Sequence, residues 1–372
     1  MQKSGHKQFR AWAEIDTYRL GQNIRFLQRK IGRKRGLIGV IKADGYGHGL
    51  GPMARALSRL GVRHLGVASP AEAFEARAAV QNSSIILLSG SVKEEIPEVI
   101  QNRIIPTLSS WYEAEAFARV ANKMKRTVPV HLKIDTGMGR LGIWHTAALV
   151  LARRIVATSG LKLDGIYTHL ATADSNRGFA ITQYKRLRAV VDSLSHEKIR
   201  PKMIHYANSA ATLGMSQTGF NFARPGLAIY GLSPIGGRFP LKPILSLKSR
   251  ITLIKEIQKG RPLSYDSLFR ASRRMRVGTI SAGYADGYNR NLTNRSDVLV
   301  HGKRCRQLGR VTMDEIIIDL THVPEARWGD TVTLLGEEGR EMITAHELAK
   351  LAGTIPWEIL TSISKRVERV YS

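Results

Sequence analysis

At 372 residues the chain is too long for one ordinary domain and long enough to bury a sizeable core. Its apolar fraction of 43% is ordinary for a globular protein, and no run of about eighteen apolar residues occurs, so a membrane-spanning helix is excluded. The formal net charge of +27 is the unusual figure. Basic residues are scattered along the chain, with local runs at Arg29–Arg35 and Arg270–Arg276. No aromatic-rich RNA-binding signature, zinc-finger spacing or basic-helix zipper accompanies them, which argues against dedicated nucleic-acid binding. Attraction of anionic small molecules, or a compositional habit of the source, fits the charge as well. The single Cys305 makes no intrachain disulfide, and Met1 to Arg10 is polar and basic with no apolar stretch of signal-peptide length. A soluble cytoplasmic protein is expected.

In chain order, apolar runs predict strands at Leu37–Ile41, His64–Ala68, Ser84–Leu88, Ile104–Leu108, Val128–Ile134, Leu163–Thr168 and Met203–Tyr206. A further strand is predicted at Phe222–Ala223, running into Leu227–Tyr230. Segments with helical spacing lie between them, such as Ala71–Val80, Trp111–Met124, Thr146–Thr158 and Phe179–Leu194. Repeated strand–helix units imply parallel strands with right-handed crossovers, and eight of them suggest a closed barrel. A doubly wound sheet gives the same alternation. The polar residues favour the barrel: Lys42, His169 and Asn208–Ser209 follow apolar runs directly, at the strand ends where barrel enzymes build their sites.

After Pro243 the texture changes. Short β-like runs at Leu247–Ile257, Val277–Ser281, Asp297–His301, Glu315–Leu320 and Thr331–Leu335 alternate with Gly-, Asp- and Asn-rich turns, and a short helix follows near Ala345–Leu351. The expected organisation is therefore an α/β, TIM-like (β/α)8 barrel over residues 1–240 and an all-β domain over 241–372. Packing of the first residues on the β domain stays open. Gly236-Gly237 and two prolines mark the boundary.

The segment Val40-Ile41-Lys42-Ala43-Asp44-Gly45-Tyr46-Gly47-His48-Gly49 is the strongest chemical signal. A lysine at a barrel mouth can be partly desolvated, which lowers its pKa and leaves a neutral amine nucleophilic towards an aldehyde. The glycines let the backbone turn sharply and approach a phosphate. A solvated lysine before a Gly-rich turn is the plainer alternative for a lone Lys. A second string, Lys133-Ile134-Asp135-Thr136-Gly137-Met138-Gly139-Arg140-Leu141-Gly142, reads by itself as a structural ion-pair network or as part of a site.

Together these strings resemble the signatures of the alanine racemase family, and the resemblance runs from about Ala11 to Tyr371. It implies a pyridoxal 5'-phosphate enzyme, with no metal, that interconverts L- and D-alanine and supplies D-alanine for peptidoglycan. It also implies a homodimer with shared active sites. Lys42 matches the lysine that holds the cofactor and serves as one catalytic base, and Tyr46 matches a phosphate contact. Arg140 matches the residue that binds the substrate carboxylate, and Lys133 a lysine often carbamylated in the family. Tyr167-Thr168-His169 resembles the segment whose His lies beneath the cofactor ring. Asn208-Ser209-Ala210 and Arg224-Pro225-Gly226-Leu227 resemble the remaining cofactor contacts. There Ser209 and the amides of Gly226 and Leu227 would meet the phosphate, and Arg224 the pyridine nitrogen. Leu263-Ser264-Tyr265 matches the motif of the second base, Tyr265. Val311-Thr312-Met313-Asp314 resembles a segment whose Met313 amide contacts the substrate carboxylate. Tyr284 and Tyr288 read as half-buried packing residues.

Racemisation needs two bases, because the α-proton leaves one face of a planar intermediate and returns from the other. Three positions depart from the family. Trp357 stands where a phosphate-contacting Tyr is usual, Thr312 replaces a Cys, and Asp266 replaces a Gly. They bear on cofactor affinity and substrate size, and leave open a racemase of broader specificity or one for serine. A basic amino-acid decarboxylase would not carry both the Lys133–Arg140 string and the Tyr265 motif. A non-catalytic cofactor-binding barrel would not need the β domain.

Overall fold

The computed structural model describes residues 9–215 and 220–372. Most of the basic stretch read from Met1 to Arg10 lies outside the described residues. Two compact units emerge: residues 19–45 with 49–242, and residues up to 18 with 46–48 and 243–372. The strands are β1 (Ala11–Ile15), β2 (Gly36–Val40), β3 (His64–Val67), β4 (Ser84–Leu87), β5 (Ile104–Ile105) and β6 (Thr107–Leu108). Next come β7 (Val128–Asp135), β8 (Ile143–Trp144), β9 (Leu161–Tyr167), β10 (Met203–Ala207), β11 (Phe222–Ala223) and β12 (Leu245–Ile257). The rest are β13 (Pro262–Leu263), β14 (Phe269–Arg270), β15 (Met275–Ile280), β16 (Asp297–Val300) and β17 (Lys303–Leu308). They end with β18 (Ile316–Asp319), β19 (Thr331–Glu338), β20 (Glu341–Ile343) and β21 (Glu368–Tyr371).

In the unit of residues 19–242 the strands pair in the order β5-β4-β3-β2-β11-β10-β9-β7-β6, with β8 attached to β7. Every pairing is parallel. The two edge strands, β5 and β6, are separated in the chain only by Pro106. The edges are therefore two halves of one run, and the sheet closes as an eight-membered barrel. Proline has no N–H, so the run Ile104–Leu108, expected as one strand, splits there. Ile85–Ile86 pair with Ile104–Ile105, while Thr107–Leu108 pair with His131–Leu132. Pro106 O still accepts from His131 N at 2.9 Å and carries the seam.

Helices follow the strands behind side-chain caps. Ser69, Ser110, Asn176 and Asn208 each accept a backbone amide three residues on, which satisfies one of the orphan donors of the first turn. Two of the expected elements are corrected. The helix expected from Thr146 begins at Ala148, after a short 3-10 turn. Helices also form at Thr17–Ile31 and Leu50–Arg59. Finally, Leu227–Tyr230 is not strand. Ile229, Tyr230 and Gly231 donate back to Gly226, Leu227 and Ala228, so the chain coils immediately after Pro225-Gly226.

The barrel interior carries a polar layer above an aliphatic one of Ile38, Ile86, Ile105 and Met203. His131 on β7 and His205 on β10 are fully buried, and His205 Nε2 lies 3.1 Å from His131 Nδ1. The His131 ring fits because Gly165 faces it; a Cβ there would come within 2.5 Å of His131 Nε2. The Tyr167 ring stacks on His205 at 4.6 Å, and its hydroxyl donates to Leu88 O at 3.1 Å while accepting from Thr107 Oγ1 at 2.7 Å.

In the second unit, β12 runs for 13 residues and serves several partners. Its start pairs with β1, Leu247–Arg250 also pair with β19, and Ile251–Ile257 pair with β15. Because β19-β16-β17-β18-β15 also form a continuous ladder, the β12–β19 pairing closes these strands into an antiparallel barrel. β1 pairs parallel with the terminal β21, and Tyr371 Oη donates to His48 O at 2.9 Å. Among the described residues no helix is long and apolar enough to cross a membrane. Cys305 is buried in β17, and burial pushes its thiol up to about 12.

The buried imidazoles make the barrel acid-sensitive. Burial, then the neighbouring His64 and Arg224, lowers His131 to about 3, and burial followed by Arg224 pushes His205 well down. An unfolded chain protonates its histidines near pH 6.5, so this contribution is complete above pH 6.5 and is lost as pH falls towards about 3. The urea midpoint is expected to fall across this interval, and His131→Gln to flatten the fall by up to one proton. An unchanged slope in the variant would count against the assignment.

Candidate active site

Lys42 leaves the carboxyl end of β2 and enters a left-handed turn. Ala43, Asp44 and Tyr46 have φ of 52°, 54° and 56°, and Gly45 lies between them at 60°. Non-glycine residues in this region cost roughly 1–2 kcal/mol each, so the turn must be held by its surroundings. Gly45 N donates to Ile41 O, Gly49 N to Asp44 O and Leu50 N to Asp44 Oδ1, all within 2.9 Å. The Glu72 carboxylate accepts from Ala43 N at 2.7 Å and Ala68 N at 2.8 Å, fastening this turn to the end of β3. Burial lowers the Lys42 pKa, Arg140 and Arg224 lower it further, and Glu72 opposes them.

Arg224, directly after β11, is the hub. It is buried, and its guanidinium donates to His205 Nδ1 at 2.6 Å, Thr168 O at 2.9 Å and His169 Nδ1 at 3.4 Å, 4.8 Å from the Tyr167 ring. Guanidinium nitrogens only donate, so both imidazoles must accept at Nδ1 and carry their proton on Nε2. Burial lowers even Arg224, to about 10. Half-buried His169 is held well below 6.5 by loss of solvent, then by Arg224 and Lys133.

Lys133 points from β7 towards the same cluster, 4.5 Å from the Tyr167 ring. It is buried, and burial together with Arg224, Arg140 and Lys42 brings it down to about 7. Asp135 Oδ1 gathers the amides of Gly137, Met138 and Gly139, shaping the loop that presents exposed Arg140. Gly142 lets this loop return: at φ 116°, its Cβ would meet Asp135 N and Lys133 Cγ at 2.8 Å. After β10, Ser209 Oγ accepts from Gly226 N at 3.0 Å and Ala228 N at 3.1 Å. The Gly226 amide, expected to face a phosphate, is thus bonded to Ser209 here.

The other expected residues lie in the β unit. Tyr265 sits at the tip of the β13–β14 ribbon and is 68% exposed. Its neighbours Ser264, Asp266 and Ser267 are left-handed, at φ 66°, 58° and 49°. Ser264 Oγ accepts from Arg310 N and donates to Arg310 O, and the Arg310 guanidinium pairs with Asp266. Met313 is exposed; its carbonyl accepts Ala285 N, and Thr312 Oγ1 caps its own turn through Glu315. Trp357 is half-buried on the helix Pro356–Thr361. Tyr46 is buried, which pushes its hydroxyl up to about 12. Tyr288 is a packing residue, buried with its hydroxyl 2.7 Å from Ser296 Oγ, but Tyr284 is exposed, contrary to expectation.

The barrel brings together Lys42, Lys133, His169 and Arg224, whose charges act on one another, with Arg140 contributing to the same field. Sequence reasoning missed Glu72, His131 and His205. Ser69-Pro70-Ala71-Glu72 carries the spacing of a helix capping box, which could have marked Glu72. The two histidines interrupt apolar strands, and that is their only signal.

A parallel barrel with a titratable lysine cluster at its strand ends, joined to a closed β unit, defines a barrel enzyme with an appended β domain. The chain matches the alanine racemase N-terminal domain over residues 15–234 and the C-terminal domain over residues 244–371. An alanine racemase from Geobacter sulfurreducens is 41% identical over 368 residues, covering 96% of each chain. One from Synechocystis is 38% identical over 366 residues, covering 97% of this chain and 98% of that one. Alanine racemase from Clostridium difficile superposes with a TM-score of 0.94 at 32% identity, over 98% of this chain and 96% of that one. The Bartonella henselae alanine racemase, solved with covalently bound pyridoxal phosphate, gives 0.88 at 30% identity over 98% and 100% of the two chains. The chain belongs to the alanine racemase family.

The Asp266 loop yields a stability prediction. A left-handed non-glycine residue costs roughly 1 kcal/mol, while an exposed ion pair such as Asp266–Arg310 contributes about 0–1 kcal/mol. Asp266→Gly should therefore leave stability within about 1 kcal/mol of wild type, whereas Asp266→Val, β-branched and unpaired, should lose about 1–2 kcal/mol. Urea unfolding of the three proteins checks the order.

Proposed function

We propose that the chain interconverts L- and D-alanine using pyridoxal phosphate, with Lys42 and Tyr265 as the two bases. The observation that carries the reading is the cluster of Lys42, Lys133, Arg140 and Arg224, whose mutual repulsion suits an anionic ligand bearing an aldehyde. The donor set fits the cofactor. Lys42 has a depressed pKa, the Ser209 hydroxyl, which holds the amides of Gly226 and Ala228 as an acceptor, keeps its own hydrogen to donate to a phosphate, and Arg224 offers only N–H groups to a ring nitrogen. Pyridoxal phosphate bound there supplies the aldehyde and a ring that withdraws electrons from the α-carbon. Tyr46 and Trp357 are assigned to the phosphate side, with Leu227, and His169 to the ring face.

Within this reading Arg140 binds the substrate carboxylate, and the Met313 amide adds a second contact. Lys42 takes or returns the α-proton on one face, its amine made available by burial and by the two guanidinium groups. Tyr265 serves the opposite face. Lys133, brought to about 7, is substantially neutral at pH 7 and can attack carbon dioxide. An N–C bond forms, a proton leaves to solvent, and the neutral amine becomes an anionic carbamate able to orient Arg140. The second base comes from Tyr265 of the partner subunit in a two-fold homodimer, which makes two equivalent sites. Formation of D-alanine for peptidoglycan is the corresponding role, and the cytoplasm its place.

Three tests follow from this chemistry. Borohydride reduction of the cofactor-loaded protein and peptide mapping should label Lys42; a label on another lysine would sink the assignment. Carbon-13-enriched bicarbonate should give a protein-bound carbamate signal that Lys133→Gln lacks, and the same signal in both proteins would reject Lys133 as its position. Lys42→Ala and Tyr265→Ala should each be nearly inactive on alanine across a panel of L-amino acids. Refolded together, random pairing should make half the dimers hybrid with one intact site each, restoring about a quarter of wild-type activity. Demonstrated hybrids without activity would rule out sharing.

A further inference from the structure

The barrel topology gathers charge that looks scattered in the sequence. Each segment that leads from a helix into a barrel strand lies at the amino-terminal end of the strands, opposite the end where Lys42 and Arg224 emerge. Among the described residues of these segments, Glu197 is the one acidic side chain, and it is held in an ion pair by Arg153. The cations are many. Arg33 and Lys34 precede β2, Arg63 precedes β3 and Arg103 precedes β5, all exposed. Lys125 precedes β7, and Lys198, Arg200 and Lys202 precede β10, again exposed. Arg35 and Arg126 brace the same segments by donating to Phe220 O and Ile100 O, so the segments are anchored to the barrel.

We infer that this end of the barrel is a docking face for the phosphate backbone of nucleic acid, read without regard to sequence. A face on rigid connectors where exposed cations outnumber the one paired acid releases condensed counterions when it meets a polyphosphate, and arginine forks suit phosphate oxygens. Among their described residues the connectors present no exposed aromatic side chain: Phe220 is buried. Base stacking by these described connector residues is therefore absent from the contact, and so is an aromatic anchor. An anionic membrane surface is the weaker partner for that reason, because stable attachment to a bilayer takes a second, apolar signal beside the basic patch.

The full-length, cofactor-loaded protein titrated into a fluorescent 30-base-pair duplex of arbitrary sequence tests the inference. Affinity should fall steeply as salt rises from 50 to 200 mM, with a log–log slope near −0.9 per phosphate contacted. The triple variant Lys34→Glu, Arg63→Glu, Lys202→Glu should bind at least about tenfold more weakly with a shallower slope, while alanine racemisation stays at the wild-type level. A control, Lys259→Glu, Arg327→Glu, Arg340→Glu, removes the same charge from exposed positions of the β unit and should retain most of the affinity. Glutamine versions of the first triple replace the glutamates if those fail to fold. Equal loss in both triples would show a diffuse charge effect and overturn the docking face. So would an absence of duplex binding at 100 mM salt, or binding to anionic vesicles but not to the duplex.

Discussion

A guanidinium buried among uncharged acceptors is the constraint from which the barrel site follows. Arg224 bonds to a carbonyl and two imidazoles, none of them anionic. A carboxylate partner would have neutralised it locally. Without one, its field extends to every titratable neighbour, and it appears among the causes that lower Lys42, Lys133, His169, His131 and His205. It also fixes tautomers. Because Arg224 donates to His205 Nδ1, the His205 proton sits on Nε2 and is directed to His131 Nδ1. The His131 proton then lies on its own Nε2, a buried atom with no hydrogen-bond partner among the described residues. Leaving such a donor unmade costs about 1–3 kcal/mol, which the packing of the barrel must offset. Orientation of the arginine is thus set from beneath, by a stack that reaches into the barrel interior.

Closure of the barrel separates two kinds of charge. At the carboxyl ends of the strands the cations are few, partly buried and coupled to one another. At the amino ends they are exposed and repeated on short connectors. Both groups arise from the same strand–helix alternation, since each unit supplies one connector to each end. The overall charge of +27 therefore says little by itself. Its division between a desolvated cluster and a hydrated face decides what each end can bind.

Most of the architecture was legible because a parallel barrel strand, covered on both faces, is written as an apolar run. The runs beginning at His64, Ser84, Val128 and Met203 are strands with ends displaced by a residue or so. The failures have local causes. Pro106 divides a run whose hydrophobicity is unbroken, and Leu227–Tyr230 is apolar yet coils because Pro225-Gly226 turns the chain. Strand β17, Lys-Arg-Cys-Arg-Gln-Leu, is too polar to read as a strand; its buried Gln307 is satisfied by Asn294 N, Leu308 O and Gly309 O. Lys42, Lys133, Arg140 and Arg224 could be picked from motifs. The histidine stack beneath them could not, because pairing across the barrel joins residues 74 positions apart in the chain.

Charge also orders what the cluster can hold. Protonated Lys42 lowers the affinity of Lys133 for a proton. Conversion of Lys133 to a carbamate would reverse one sign in the field: the new anion would favour protonated Lys42 and attract Arg140. A phosphate ester and a substrate carboxylate would act in the same direction. Each anion that enters thus weakens the depression of the Lys42 pKa that makes its amine nucleophilic in their absence. Burial is the first cause of that depression and does not depend on the neighbours' charges. Desolvation at the mouth of the barrel would therefore go on holding the Lys42 pKa down where bound anions offset the arginines.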